Sequence, residues 1–380
     1  MTFHRLVGSI GVAALCAAGA GGFPAPVAAQ APGAPSSDAW TLERHQELAR
    51  TIRQQIGVPA DWTPVRTPWG HPDLQGAWTS DGMHGVPRQR PAEFGNRMFL
   101  TDEEYAERAQ AETATRVRAN TTASGFGTSA GRDRAWRGEI TFRLTSQIVA
   151  PADGQIPGVT PQAETRRATR DRGSFGAGPF DSPEDFTLYD RCITRGIVGG
   201  VLPVNYGNGN WILQTRDTFV ISYEMVHDTR IIPVDGRPRL GSDIRQYLGD
   251  ARGRWDGDTL VVETTNMTDR TSIGPNGNGL RHSEGMRLVE HFTMIADGVL
   301  LYDVTVHDPQ TYTQPWTIAM PLVSPPGFMP LPYECHEGNN VVRGALGGDR
   351  KYNQAVAEAR AKGLPLPPRS PSSFDAAPVD

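Results

Sequence analysis

Cysteine is scarce in this chain, and several short motifs that mark particular chemistries are missing. Of its 3 cysteines, Cys16 falls in an apolar leader, which leaves Cys192 and Cys335. No Gly-rich phosphate loop opens a helix, which argues against a nucleotide cofactor. No His-Glu-x-x-His spacing occurs, and His227, His291, His307 and His336 are scattered along separate segments, so no metal is expected and no cofactor is assigned. Positive charge is not in excess: the net charge is −5 with no basic patch, which argues against a nucleic-acid partner. Beyond the leader, no apolar run is long enough to span a bilayer.

The leader has the layout of a secretory signal, residues 1–31. His4 and Arg5 form a polar head, Leu6 to Gly22 an Ala/Gly-rich apolar run, and Val27-Ala28-Ala29 or Ala29-Gln30-Ala31 a small-x-small cleavage site. Leu15 precedes Cys16 where lipidation wants a small residue, so no lipid anchor is assigned. This pattern predicts a periplasmic or secreted protein. In an exported chain two remaining cysteines most often pair. A Cys192–Cys335 bridge would enclose most of the predicted strands and add ~4–5 kcal/mol in the chain-entropy model. The competing reading is a redox or nucleophilic cysteine assisted by His336.

What the chain has in quantity is turn-punctuated β pattern. Between Trp211 and Trp316 three Asp-Gly pairs, Asp235-Gly236, Asp256-Gly257 and Asp297-Gly298, mark hairpin turns. Taking Asp297-Gly298 as a two-residue turn sets Ala296 opposite Val299. The register then pairs Thr293 with Tyr302, His291 with Val304 and Arg287 with Asp308. That face is the more apolar and is assigned inward, so His291 and Tyr302 are expected inside together. Leu260, Val262, Thr264 and Asn266 share one strand face, and Phe219, Ile221, Tyr223, Met225 and His227 another. Many strands with little helix between them predict a mainly β chain, an antiparallel barrel or sandwich with helical additions N-terminal to it.

Around this stretch the organisation reads as follows. Residues 32–37 are a linker. Residues 38–190 are helical and loop-rich, with an amphipathic helix over Asp38 to Ile56 and a first barrel strand near 73–80. A capping box, Thr101 with Glu104, opens a second helix to about Arg118. Thr141 to Val149 is a strand, and Thr160-Pro161 opens a short basic helix. Residues 191–345 hold the main β region, with Gly196 to Asn210 as a loop at the barrel mouth. Residues 346–380 are a short helix and a Pro/Ser-rich tail.

Two resemblances follow from these residues. Leu74-x-Gly76-x-Trp78 is similar to the entry strand of lipocalin-like barrels, where the glycine permits close packing and the tryptophan closes the floor. In combination, several stretches resemble a family of exported bacterial β-rich proteins. They include Arg191-Cys192-Ile193 with Arg195-Gly196, Tyr223-Glu224-Met225-Val226-His227-Asp228, Trp255-Asp256-Gly257-Asp258-Thr259-Leu260 with Thr264-Thr265-Asn266, Pro315-Trp316, and Glu334-Cys335-His336-Glu337-Gly338-Asn339. The resemblance implies export and a β-rich fold, and brings no activity with it.

Candidate chemistry is therefore taken from the residues. His291 beside Tyr302 on an inner face is a general acid/base candidate, and its bland alternative is a satisfied core histidine. His227-Asp228 at a strand reversal is a second candidate, set against a plain turn. Tyr223, Trp316 and Asn266 are placed as ligand-binding residues, with Asn205 and Tyr206 at the mouth. Arg191, held beside Cys192, would anchor a carboxylate or phenolate. The preferred expectation is cofactor-free acid/base catalysis, of lyase, isomerase or hydrolase type, on a small and largely apolar or aromatic molecule in the barrel. The alternatives are a lipocalin-like carrier and a structural envelope protein.

Overall fold

The computed structural model describes residues 40–121, 142–170, 180–204, 207–274 and 279–368. The signal-like leader, Asn205 and Tyr206 lie outside these residues. Ten strands form one sheet: β1 (Gly76–Thr79), β2 (Ile148–Ala150), β3 (Gly209–Gln214), β4 (Thr218–Tyr223), β5 (Thr229–Pro233), β6 (Asp250–Asp256), β7 (Thr259–Thr265), β8 (Arg287–Ala296), β9 (Val299–His307) and β10 (Trp316–Val323). Nine follow the order β5-β4-β3-β1-β10-β9-β8-β7-β6, and β2 adds to β10 off that path. Two meanders, β3–β5 and β6–β10, are thus joined through β1.

Every pairing along the path is antiparallel. With nine strands that rule makes the two end strands run the same way. β5 and β6 lie side by side, and no ladder joins them among the described residues. The result is a nearly closed barrel, the first of the two expected architectures.

Alternation sorts the side chains into lumen and exterior. Phe219 from β4 lies 5.4 Å, ring to ring, from Phe292 on β8, and Arg230 on β5 bonds Glu290 on β8. These strands stand far apart in the sheet order, so they meet only across the lumen. Leu260, Val262, Leu288, Tyr302, Val304 and Ile318 fill the same space and are buried.

The β8–β9 hairpin corrects the expected register. Asp297-Gly298 do form the turn, and Ala296 does face Val299, but a bulge follows at Ile295. Below it the pairs are Phe292 with Tyr302 and His291 with Asp303. One extra residue flips the remainder of the strand. Tyr302 points into the lumen, and His291 points outward beneath a helix. The expected Arg287–Asp308 pair is replaced as well: Arg287 stands opposite His307 and bridges Glu263, while Asp308 accepts from Ser283 and Thr311.

Helix α1 (Leu42–Gln55) covers the outer face of β8 with His45, Leu48, Ala49 and Ile52, and Thr41 caps it. Helix α2 (Asp102–Thr121) opens on the expected box, in which Thr101 N–H donates to Glu104 and Glu104 N–H to Thr101. Helix α3 (Pro161–Arg170) is the short basic one. Helix α4 (Ile197–Val201) occupies part of the expected mouth loop, its residues all buried. A Cβ on Gly200 would stand 3.0–3.3 Å from the Tyr223 ring, so the helix backbone lies on that tyrosine and plugs one barrel end. Helix α5 (Val341–Ala361) begins earlier than the expected boundary at 346. The strand expected over 141–149 shrinks to β2. Cys192 and Cys335 are bonded, with Cα atoms 5.6 Å apart.

Candidate functional site

The plugged end of the barrel gathers most of the polar side chains that the strands turn inward. Glu290 accepts two bonds from Arg230, at 2.8 and 2.5 Å, and one from the Tyr302 hydroxyl at 3.1 Å. Arg230 also reaches Thr264 at 3.1 Å and the Tyr223 hydroxyl at 3.4 Å. All of these side chains are buried. A planar, two-pronged pair is the geometry in which a buried charge pair holds together. Burial alone would lower the Arg230 guanidinium, yet the carboxylate beside it holds it well above its ordinary value. Burial pushes Tyr223 up to about 12, and burial with the Glu290 charge pushes Tyr302 well above its usual range. Both phenols therefore stay protonated at neutral pH; Tyr302 donates to Glu290, and the Tyr223 hydroxyl accepts from Arg230. Among the described residues, Ser80 Oγ, Asn210 Oδ1 and Arg230 Nε are buried without a hydrogen-bond partner.

At this end a small cavity of about 10 Å³ lies between α4 and the β7–β8 connection. Ile197, Val198, Met267, Ile273 and Met286 make its walls apolar, and Leu288, one pleat from Glu290, also lines it. Tyr247, Thr271, Ser272 and His282 bring polar groups to it. Asp308 ties the loop down by accepting from Ser283 N–H (2.7 Å) and Oγ–H (2.6 Å). The Ser283 carbonyl in turn accepts from His282 Nδ1 at 2.9 Å. A carbonyl only accepts, so Nδ1 carries the proton and Nε2 accepts from the Thr271 hydroxyl. Burial lowers the His282 pKa and keeps the ring neutral.

A second cluster lies outside the barrel, beneath the first turn of α1. The Asp303 carboxylate receives His45 Nδ1 at 2.5 Å, His291 Nδ1 at 2.7 Å and Trp40 Nε1 at 2.9 Å. His45 Nε2 meets Thr293 Oγ1 at 2.8 Å, and Thr293 meets Thr259 at 2.7 Å. Burial would raise Asp303, but the flanking imidazoles of His45 and His291 hold it well below the usual carboxylate range. His291 is thus brought to a carboxylate, though to Asp303 rather than to Tyr302.

The other expected residues are dispersed. His227 lies on an exposed turn, Met225–His227, 3.7 Å from Glu334, so the strand expected to reach it ends at Tyr223. Asp228 is raised by burial and accepts from Tyr223 N–H through its carbonyl. Tyr223 is in the lumen network. Trp316 packs in the core edge-on to Tyr312. Asn266 spends its amide on the carbonyls of Gly241 and Ile244. Arg191 reaches only Glu184, at 3.5 Å.

Sequence reasoning missed His45, Asp303, Glu290, Arg230 and His282. His45 left a signal, since it falls on the apolar stripe with Leu48, Ala49 and Ile52. Gly127-Thr128-Ser129-Ala130-Gly131 spells the nucleophile-elbow pattern and was also passed over; it lies outside the described residues. Among the described residues no helix is long and apolar enough to cross a membrane. No family model matches the chain, and neither a curated protein nor a solved structure matches it.

Proposed function

We propose that this is an exported protein that binds a small, largely apolar organic molecule at the α4 end of its barrel. The observation that carries this reading is the lining of that cavity: apolar walls, with Tyr247, Thr271, Ser272 and His282 as its polar edge among the described residues. Apolar concavity with a few placed polar groups is the usual form of a small-molecule site. The enclosed space is about 10 Å³, room for about one water molecule, so a ligand enters only as α4 and the β7–β8 connection move apart. Binding is favoured over acid/base catalysis because both ring nitrogens of His282 already have partners. A general base needs a free lone pair within reach of the proton it takes. The paired cysteines fit export, as does the signal-like leader.

The test is calorimetric titration and thermal shift with a panel of small aromatic and alicyclic molecules, on the wild type and on Ile273→Trp, which fills the pocket. Binding that weakens at least tenfold in a variant with unchanged circular dichroism supports the reading; tenfold corresponds to about 1.4 kcal/mol. Binding that survives the filling, or a panel from which nothing binds, sinks it.

A further inference from the structure

We infer that His45, His291 and Asp303 form a site for one divalent transition-metal ion, with Zn²⁺ the best match, and that the ion clamps α1 onto the barrel. The inference is independent of the pocket at the α4 end. Three elements supply the three residues: α1, β8 and β9. All are buried, and their potential ligand atoms lie within 4.8 Å of one another. Two imidazole nitrogens and a carboxylate oxygen are a donor set that suits zinc, which commonly takes three protein ligands and a fourth small one.

Both rings turn the same atom, Nδ1, toward one carboxylate, and the ring centroids stand 5.0 Å apart. Asp303 makes no ion pair with arginine or lysine among the described residues, so no fixed cation competes for the position. A tetrahedral ion with bonds of about 2.0–2.1 Å sets its ligand atoms roughly 3.3 Å apart. His45 Nδ1 bonds Oδ2 of Asp303 and His291 Nδ1 bonds Oδ1, so an ion seated between the rings takes one of these oxygens, and one ligand atom from each residue already lies within 4.8 Å of the others.

Two protons hold these positions in the metal-free arrangement, one on each Nδ1. Metal binding moves each of them to Nε2, so a neutral imidazole stays neutral and no proton need be lost. The surroundings accept that shift. Thr293 Oγ1, which donates to His45 Nε2, can equally accept from it, because it has a second hydroxyl partner in Thr259. His291 Nε2 has no hydrogen bond among the described residues and is free to take its proton. Trp40 Nε1 continues to donate to Asp303, orienting the carboxylate from outside the ligand set.

The experiment uses the full folded chain, stripped with chelator and dialysed against Zn²⁺. One equivalent should be retained by elemental analysis, and the melting temperature should rise by several degrees and fall back with chelator, since a ligand that binds only the folded state stabilises it. Co²⁺ should give visible d–d absorption of a tetrahedral site in the wild type. Asp303→Asn and His291→Gln, which keep the size of the side chains, should each lose the retained equivalent and the Co²⁺ spectrum. A wild type that retains no ion and shows no Co²⁺ band would leave a proton-bridged pin and overturn the inference. So would variants that retain the metal unchanged. Should a variant fail to fold, the wild-type Co²⁺ spectrum still decides.

Discussion

His307 shows how one half-buried side chain sets a pH response. Burial, followed by the Arg287 charge opposite it, lowers its pKa to about 4. Its unfolded value is about 6.5. A depressed histidine pKa means that the unfolded chain binds the proton more readily. Stability from this residue is therefore complete above about pH 6.5 and is lost as pH falls toward 4. The expected outcome is a fall in urea midpoint across that interval in the wild type and a flatter profile in His307→Gln. Equal slopes in the two proteins would remove His307 as the cause. Asp303 acts lower down, because a depressed carboxylate contributes above about pH 4 and loses its contribution only below that.

At the scale of elements, the pair Arg230–Glu290 ties β5 to β8 through the lumen. Removing one partner leaves a buried charge without its counter-ion. Glu290→Ala should cost about 3–5 kcal/mol, and replacing the pair together, Arg230→Met with Glu290→Leu, should cost far less or stabilise. Chemical denaturation of the three proteins checks this. A double variant as unstable as the single one would mean that the pair does more than neutralise itself. The bulge at Ile295 belongs to this scale too. It turns Tyr302 with Glu290 into the lumen and leaves His291 with Asp303 outside, where an unbroken ladder would have set His291 and Tyr302 on one face and the two carboxylates on the other.

For the whole molecule, the odd strand count explains the one open seam. Nine antiparallel neighbours leave β5 and β6 pointing the same way, and the connection between them runs back along the barrel. Closure at the seam is therefore left to side chains, whereas the Cys192–Cys335 bond joins the segments before β3 and after β10, the two neighbours of β1, across 143 residues. In the chain-entropy model such a loop stabilises by about 5 kcal/mol. Cys192→Ser with Cys335→Ser should lower the denaturation midpoint accordingly, and the wild type in reductant should follow. A double variant with an unchanged midpoint would show that the barrel holds without the bond.

How much of this was legible in the sequence depends on the range of the interaction. The two-residue turns at Asp297-Gly298 and after Asp256, the Thr101–Glu104 box, the apolar stripe of α1 and the β-rich class all rest on neighbours within a few residues, where composition and backbone preference act directly. The cysteine pair was legible because only two candidates remained after the leader. The clusters were not. His45 and Asp303 are 258 residues apart, and Arg230 and Glu290 are 60. A single bulged residue, invisible to a period-two pattern, decided which histidine met which carboxylate. Local chemistry selected the strands and the turns, and only the folded sheet, by its register and strand order, selected the partners.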